Sequence, residues 1–459
     1  MTEYVLTRFF DYFEIDGKFY LLNLINGTLL ELDCATKDKF FTCVRNQDVS
    51  SLTPSEMQIL RSQEFLVLPE NDNKQVDLNF TGYVNSKTNQ PNKLKLDIPI
   101  SNRCNFICPY CFERDTLGQQ KKSPLEESLK KKFQKDLILY IDKVREKCAF
   151  DGIEIVWYGG EPLTEATYLC ELNDKLLHYS NLNGTTYSNT IVTNGYLLSN
   201  DVLEKLRLQN VRYIQVTIDG VKEKHNARRT TRERADTYSV ILHNINSALS
   251  MNFEIVIRIN VDKSNYATLL ELINDICNSI DNKYFGKHLF LSFGRVFGSD
   301  DSYSLSEYEK KLKPLYLFAC EKHLIHTSLT PYGTGAFCSA ETQCYNMTMD
   351  VFGNIYKCWN DVFCFEKAVS TLAQYNPESE SCLSQNNNYY IKNLSLENTN
   401  NGRCLKCKYF RYCKGFCPSI RDRMSSGLEE NLYENNKCEY VIHERLETLL
   451  TAFLMEKKS

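Results

Sequence analysis

Between residues 94 and 330, short apolar runs alternate with amphipathic stretches of helical length, and no other feature constrains the fold as strongly. The runs Leu94–Ile98, Ile153–Trp157, Thr190–Thr193, Tyr213–Ile218, Glu254–Val261 and Leu289–Arg295 predict strands, and the stretches near 125–148, 164–180, 199–208, 236–250, 264–280 and 306–326 predict helices. A helix between each pair of strands returns the chain to the same end of the sheet, so the strands must run parallel. Six such repeats predict an α/β fold, a partial (β/α)6 TIM barrel with its functional groups at the C-terminal ends of the strands.

The flanks read differently. Residues 1–93 predict a small α+β, winged-helix-like domain. In it, Tyr12–Ile15, Phe19–Leu22 and Thr28–Leu32 form a meander across the Asp16-Gly17 and Asn26-Gly27 turns. Helices follow around Lys37–Val44 and at Thr53-Pro54-Ser55-Glu56, where Thr53 suits the cap and Pro54 the first turn. Asn71–Asn92, rich in Asn, Asp, Lys and Gln, reads as a linker. Residues 331–459 form a third, Cys-rich domain in which metal replaces a hydrophobic core, with a polar insert at Gln374–Asn401 and a closing helix at Glu439–Lys457.

A net charge of −4 over 459 residues offers no basic excess to a polyanion, which argues against a nucleic-acid partner. No stretch approaches the ~20 apolar residues of a membrane span, and the charges scattered through the opening segment leave no signal-peptide core. The expectation is a cytoplasmic protein with no membrane partner. Nineteen cysteines in that reducing compartment point to metal or cluster ligation rather than disulfides.

Directly after the first barrel strand, Cys104, Cys108 and Cys111 are spaced C-x3-C-x2-C. Three thiolates on one loop can hold three irons of a [4Fe–4S] cube and leave the fourth iron open, whereas a zinc site or buried packing cysteines would be the plainer readings. The triad, with an aromatic, Tyr110, before its last cysteine, resembles the signature of the radical S-adenosyl-L-methionine (SAM) superfamily. That resemblance implies that the open iron chelates SAM and that one electron releases a 5′-deoxyadenosyl radical. Gly159-Gly160-Glu161-Pro162, after the second strand, is similar to the superfamily's GGEP element, which implies contact with SAM. Thr193-Asn194-Gly195 and Thr217-Ile218-Asp219-Gly220, the latter followed by His225 and Arg229, resemble its further motifs. Tyr110, Gly159, Gly160, Glu161, Pro162, Asn194, Thr217 and Arg229 are thereby candidate cofactor-binding residues, with Arg228 and Arg232 as alternatives to Arg229.

Farther on, Cys338-x5-Cys344-x13-Cys358 precedes Cys404-x2-Cys407-x5-Cys413-x3-Cys417 and Cys438. Eight cysteines make two complete four-thiolate sets, and paired cysteines also suit two zinc ribbons. The spacing resembles the SPASM extension of radical SAM enzymes, close to that of anaerobic sulfatase-maturating enzymes. By position, this implies one auxiliary cluster on Cys338, Cys344, Cys358 and Cys417 and a second on Cys404, Cys407, Cys413 and Cys438, for three [4Fe–4S] clusters in all.

Sulfatase maturases carry a catalytic Asp directly after the cysteine that matches Cys358. Here Trp359 follows, and Asp361 is the nearest candidate substitute. The N-terminal meander resembles the precursor-recognition domains of enzymes that modify ribosomally made peptides (RiPPs), in which a leader peptide adds a strand. The expected partners are a precursor peptide with a leader sequence and an external one-electron donor of flavodoxin or ferredoxin type. The expected reaction is hydrogen abstraction that closes a thioether or other crosslink. The alternatives are formylglycine formation on a sulfatase and, outside catalysis, a multi-cluster electron-transfer protein.

Overall fold

The structure is a computed structural model, and it describes residues 4–88, 92–113, 125–332, 338, 340–341, 345–375, 394–397 and 399–458. Cys344 and most of the polar insert, Cys382 included, lie outside the described residues.

After β1 (Val5–Leu6), strands β2 (Phe10–Ile15), β3 (Lys18–Asn23) and β4 (Leu29–Leu32) form the expected antiparallel meander, followed by α1 (Cys34–Asn46) and α2 (Pro54–Ser62). Thr53 and Glu56 cap α2 reciprocally. β5 (Leu66–Val67) returns to pair with β1. Phe19, Leu21, Phe40, Leu60 and Phe65 close the small core between sheet and helices.

The segment expected to be a linker is instead helix α3 (Pro69–Thr88). Its buried positions are Asn79 and Tyr83, four residues apart, so one helical face is covered without an apolar stripe to announce it. Asp72 in its first turn accepts hydrogen bonds from Thr7 Oγ1 at 2.7 Å and Arg8 Nε at 2.7 Å, tying the helix start to the meander.

The barrel region alternates as expected: β6 (Lys93–Pro99), α4 (Glu127–Lys147), β7 (Gly152–Tyr158), α5 (Ala166–Leu182), β8 (Thr186–Thr193), α6 (Asn200–Leu208), β9 (Tyr213–Thr217), α7 (Lys222–Arg228), α8 (Thr237–Ser250), β10 (Glu254–Val261), α9 (Leu269–Ser279), β11 (Leu289–Arg295) and α10 (Leu305–Glu321). β6 to β11 lie side by side in chain order, every neighbouring pair parallel. Ile255, Ile257 and Ile259 on β10 are fully buried toward the helices, at roughly 1.5–3 kcal/mol of transfer free energy each. Val256, Arg258 and Asn260 alternate onto the opposite, inner face. A closed barrel would fill that face with branched apolar side chains. This one leaves it partly polar.

Beyond the barrel, β12 (Met347–Met349) adds parallel to β6, and β13 (Asn354–Tyr356) and β14 (Ser370–Thr371) extend the sheet antiparallel to nine strands. Strands of two or three residues carry too little periodicity to be read from sequence. Helices α11 (Phe410–Cys413), α12 (Pro418–Ser425) and α13 (Lys437–Lys458) complete the chain. Whereas the sequence reading divides the chain into the consecutive segments 1–93, 94–330 and 331–459, the compact units interleave: one gathers 1–88, 327–342 and 393–459, the other 89–326 and 343–392. Among the described residues, no helix is long and apolar enough to cross a membrane.

Candidate active site and cysteine cradle

The loop leaving β6 carries Cys104, exposed, Cys108, buried, and Cys111, half-buried. A backbone bridge fixes it: Ile107 N–H donates to Thr230 O at 2.9 Å, and Phe106 pairs with Thr231 just beyond Arg229. Burial pushes the Cys111 thiol up to about 12, and the neighbouring Glu113 and Cys108 add to it. Phe106 N–H donates to Cys104 Sγ at 3.4 Å. Thiols raised in this way become thiolates when a metal displaces their protons.

Gly159 and Gly160 end β7 at φ +84° and +41°. A Cβ on Gly159 would stand 2.4 Å from Pro99 Cβ, and one on Gly160 2.2 Å from Arg103 O, so both glycines are required where this turn lies against the base of the cysteine loop. Gly160 N–H donates to Glu113 at 2.7 Å. Burial lifts the Glu113 carboxyl to about 7, against that hydrogen bond. Glu161, fully buried, accepts from Thr193 Oγ1 at 2.6 Å, Asn194 N–H at 2.7 Å and Leu163 N–H at 3.0 Å, so its carboxylate braces one motif to the next. Pro162 opens the short 3-10 turn that Glu161 caps. Asn194 reaches Asn105 of the cysteine loop, Nδ2 donating to Oδ1 at 2.7 Å.

Tyr110 sits inside a charged knot. Its hydroxyl donates to Asp219 and accepts from Arg229 Nη1 at 2.6 Å, while the Arg228 guanidinium lies 4.6 Å from its ring centre. Arg228 pairs with Asp262 at 2.9 Å, which distinguishes it from Arg229. His225 is buried, accepts from Asp219 N–H at 3.3 Å, and is held neutral, its pKa drawn down to about 3 by burial and by Arg229 and Arg228. Thr217, at the end of β9, is buried beside Arg258 in register. The structure thus gathers Tyr110, Gly159, Gly160, Glu161, Asn194 and Arg229 around the triad. Asp219, Glu113 and Asn105, which tie these motifs together, were not singled out as site residues from sequence, and Glu113 lies only two positions past Cys111.

Asp361 is buried, and its carboxylate receives Lys367 Nζ at 2.8 Å. Trp359, in the position directly after Cys358, packs its ring 4.8 Å from that of Tyr158. Cys358 belongs to the barrel unit, Cys338 and Cys417 to the other.

In that second unit, Cys404, Cys407, Cys413 and Cys438 line one cavity of about 310 Å³, with Phe410, Phe416 and Tyr433 among its walls. Its tight turns bring the sulfurs round: Cys407 N–H donates to Cys404 O at 3.1 Å and Phe416 N–H to Cys413 O at 3.0 Å. Among the described residues, no three Cys, His, Asp or Glu side chains converge as a single metal ion requires.

Residues 98–276 match the Radical SAM superfamily. That stretch is a radical SAM domain. The chain is 23% identical over 342 residues to the radical SAM cyclopropyl synthase TigE of Paramaledivibacter caminithermalis, covering 70% of this chain and 67% of that protein. A cysteine-type anaerobic sulfatase-maturating enzyme of Clostridium perfringens is 24% identical over 363 residues, 73% of this chain and 91% of that one. The solved structure of native anSMEcpe with bound AdoMet and Cp18Cys peptide superposes with a TM-score of 0.57 at 20% identity, covering 78% of this chain and 98% of that chain. The superfamily's [4Fe–4S] cluster and SAM fit the site: three thiols on one loop, and no fourth cysteine in that loop to close the cluster.

Proposed function

We propose that the enzyme modifies a ribosomally made precursor peptide, abstracting a hydrogen atom and closing a thioether or other crosslink. Cys104, Cys108 and Cys111 would hold the SAM-binding cluster, and Gly159, Gly160, Asn194, Thr217 and Arg229 would form the walls around SAM. Cys338, Cys344, Cys358 and Cys417 would serve one auxiliary cluster, and the cradle of Cys404, Cys407, Cys413 and Cys438 another. The cluster and SAM, when bound, would supply a 5′-deoxyadenosyl radical for hydrogen abstraction, given one electron from an external flavodoxin- or ferredoxin-type donor. Closing the crosslink releases one further electron and one proton, and the auxiliary clusters would supply an acceptor for that electron.

The meander carries this reading. Its order, β2-β3-β4, leaves β4 at an edge with Leu29 and Leu30 half-buried and Glu31 exposed, a strand open to addition of an extended leader. A second observation weighs against formylglycine formation: the position after Cys358 holds a packed indole, and Asp361 is committed to Lys367.

Co-expression with short reading frames encoded beside the gene tests the proposal. The expected product is a peptide lacking two hydrogens per crosslink by mass spectrometry. Conversion of Cys to formylglycine in a sulfatase-derived peptide, with no change in any neighbouring peptide, would establish sulfatase maturation instead, the reading favoured by the Clostridium relative.

A further inference from the structure

Beside the cysteine cradle lies a charge pair that the proposed chemistry does not use. Arg421 on α12 and Glu341 meet at 2.5 Å with their side chains 0% and 2% exposed. Tyr83 Oη donates to Glu341 at 3.2 Å and accepts from Leu396 N–H at 2.9 Å. Tyr83 also packs with Leu396, Cys404, Leu405 and Phe410 in one apolar cluster against which Tyr433 is laid. Cys404 and Tyr433 in turn line the cradle. The pair is therefore joined to the cradle wall through buried side chains of the same unit.

Glu341 reaches that wall through its bond to Tyr83, which shares the apolar cluster of Cys404. Among the described residues, Arg421 Nε and Nη1 find no hydrogen-bond partner. A buried ion pair is weak evidence for stability in itself, because desolvation offsets most of the attraction. A fixed charge in a medium of low dielectric does, however, act strongly on a neighbouring redox centre.

We propose that the Glu341–Arg421 pair tunes the reduction potential of the cluster in the cradle: Arg421 raises it, and Glu341 offsets part of that rise. The proposal rests on the reading of Cys404, Cys407, Cys413 and Cys438 as cluster ligands. A cluster held by four thiolates gains negative charge on reduction, so a nearby cation favours the reduced state and a nearby anion disfavours it. The cluster would accordingly be set to accept an electron more readily than the ligand set alone allows.

The test is an EPR-monitored redox titration of the full-length reconstituted enzyme, following the signal that Cys413→Ala abolishes. Arg421→Met is expected to lower the midpoint potential, Glu341→Gln to raise it, and Arg421→Lys to leave it near the wild-type value. Opposite shifts from the two halves of one pair are not what loosened packing produces. Shifts of the same sign, or none, overturn the proposal. Should Arg421→Met fail to fold, Glu341→Gln decides alone: a raised potential supports the proposal and an unchanged or lowered one refutes it. If Cys413→Ala loses neither iron nor a signal, the cradle reading itself falls, and the tuning role with it.

Discussion

Replacing Gly160 with Ala is expected to disable SAM cleavage through the backbone alone. Gly160 has φ +41°, and an added Cβ would lie 2.2 Å from the carbonyl oxygen and 2.7 Å from the carbonyl carbon of Arg103, the residue before Cys104. A left-handed backbone costs an L-residue about 1–2 kcal/mol, and overpacking about 1–3 kcal/mol, for a total of roughly 2–5 kcal/mol. The obstructing atoms are backbone, so the clash is relieved only by moving the cysteine loop, and Glu161, whose N–H donates to Arg103 O at 2.8 Å, moves with it. A displacement near 1 Å at a reacting centre costs about 10²-fold in rate. Gly184→Ala is the matched control: its φ is +63° but nothing lies within 4 Å of the new Cβ, so it bears only the conformational cost. The assay is 5′-deoxyadenosine released from SAM under dithionite, with iron content and melting temperature measured in parallel. Gly160→Ala should lose activity about 10²-fold and melt below Gly184→Ala. Wild-type cleavage by Gly160→Ala would refute the argument that this glycine sets the position of the cysteine loop.

Replacing Cys104, Cys108 and Cys111 together by Ala should abolish SAM cleavage while anaerobic reconstitution still yields about eight irons, two four-iron clusters; retained cleavage would remove the triad from the active site. Cys413→Ala should lose about four irons yet still cleave SAM, and loss of the radical-generating step as well would contradict the division into a SAM site and a separate cradle. Asp11 is held below its usual range by His443, Lys408 and Tyr409 despite its burial, and its hydrogen bond raises His443. The Asp11 contribution to stability is therefore present above a pH of about 3.9 and lost on acidification, while that of His443 is present below about 6.5 and lost as pH rises through its raised pKa. His443→Gln should flatten the alkaline limb of a melting-temperature profile, and an unchanged limb would show that the 2.7 Å pair carries no linkage. Asp11→Asn should cost roughly 1–3 kcal/mol, read as a lower melting temperature at neutral pH.

How much of this was legible in the sequence depended on whether a feature leaves a periodic or a spaced trace. The barrel strands and helices did, because each must present an apolar face at period 2 or 3.6, and β10 shows the alternation residue by residue in Glu254–Val261. The triad was legible because three ligands on one loop have to be close in sequence. Helix α3 was not, because Asn79 and Tyr83 bury its inner face without an apolar stripe, and the same Asn-rich composition also signals a linker. Strands β12 to β14 were too short for any period, although together they extend the barrel sheet by three.

Glu161 marks a different limit. The motif that contains it was readable, and the resemblance pointed its residues toward the cofactor, but the carboxylate has an architectural part that spacing does not reveal. It is completely buried, and its three hydrogen bonds run to protein donors, two on the Thr193-Asn194 motif and one in its own turn. A buried carboxylate with that many donors is a joint whose loss leaves Thr193 Oγ1 and two backbone N–H groups unsatisfied. The glycines before it lie against the cysteine loop and Asn194 reaches Asn105, so the two segments that this carboxylate joins both rest on the loop that carries the triad. The chemistry of the site is written in its cysteines. Its geometry is set by the second layer, and that layer becomes visible only when the strands are placed side by side.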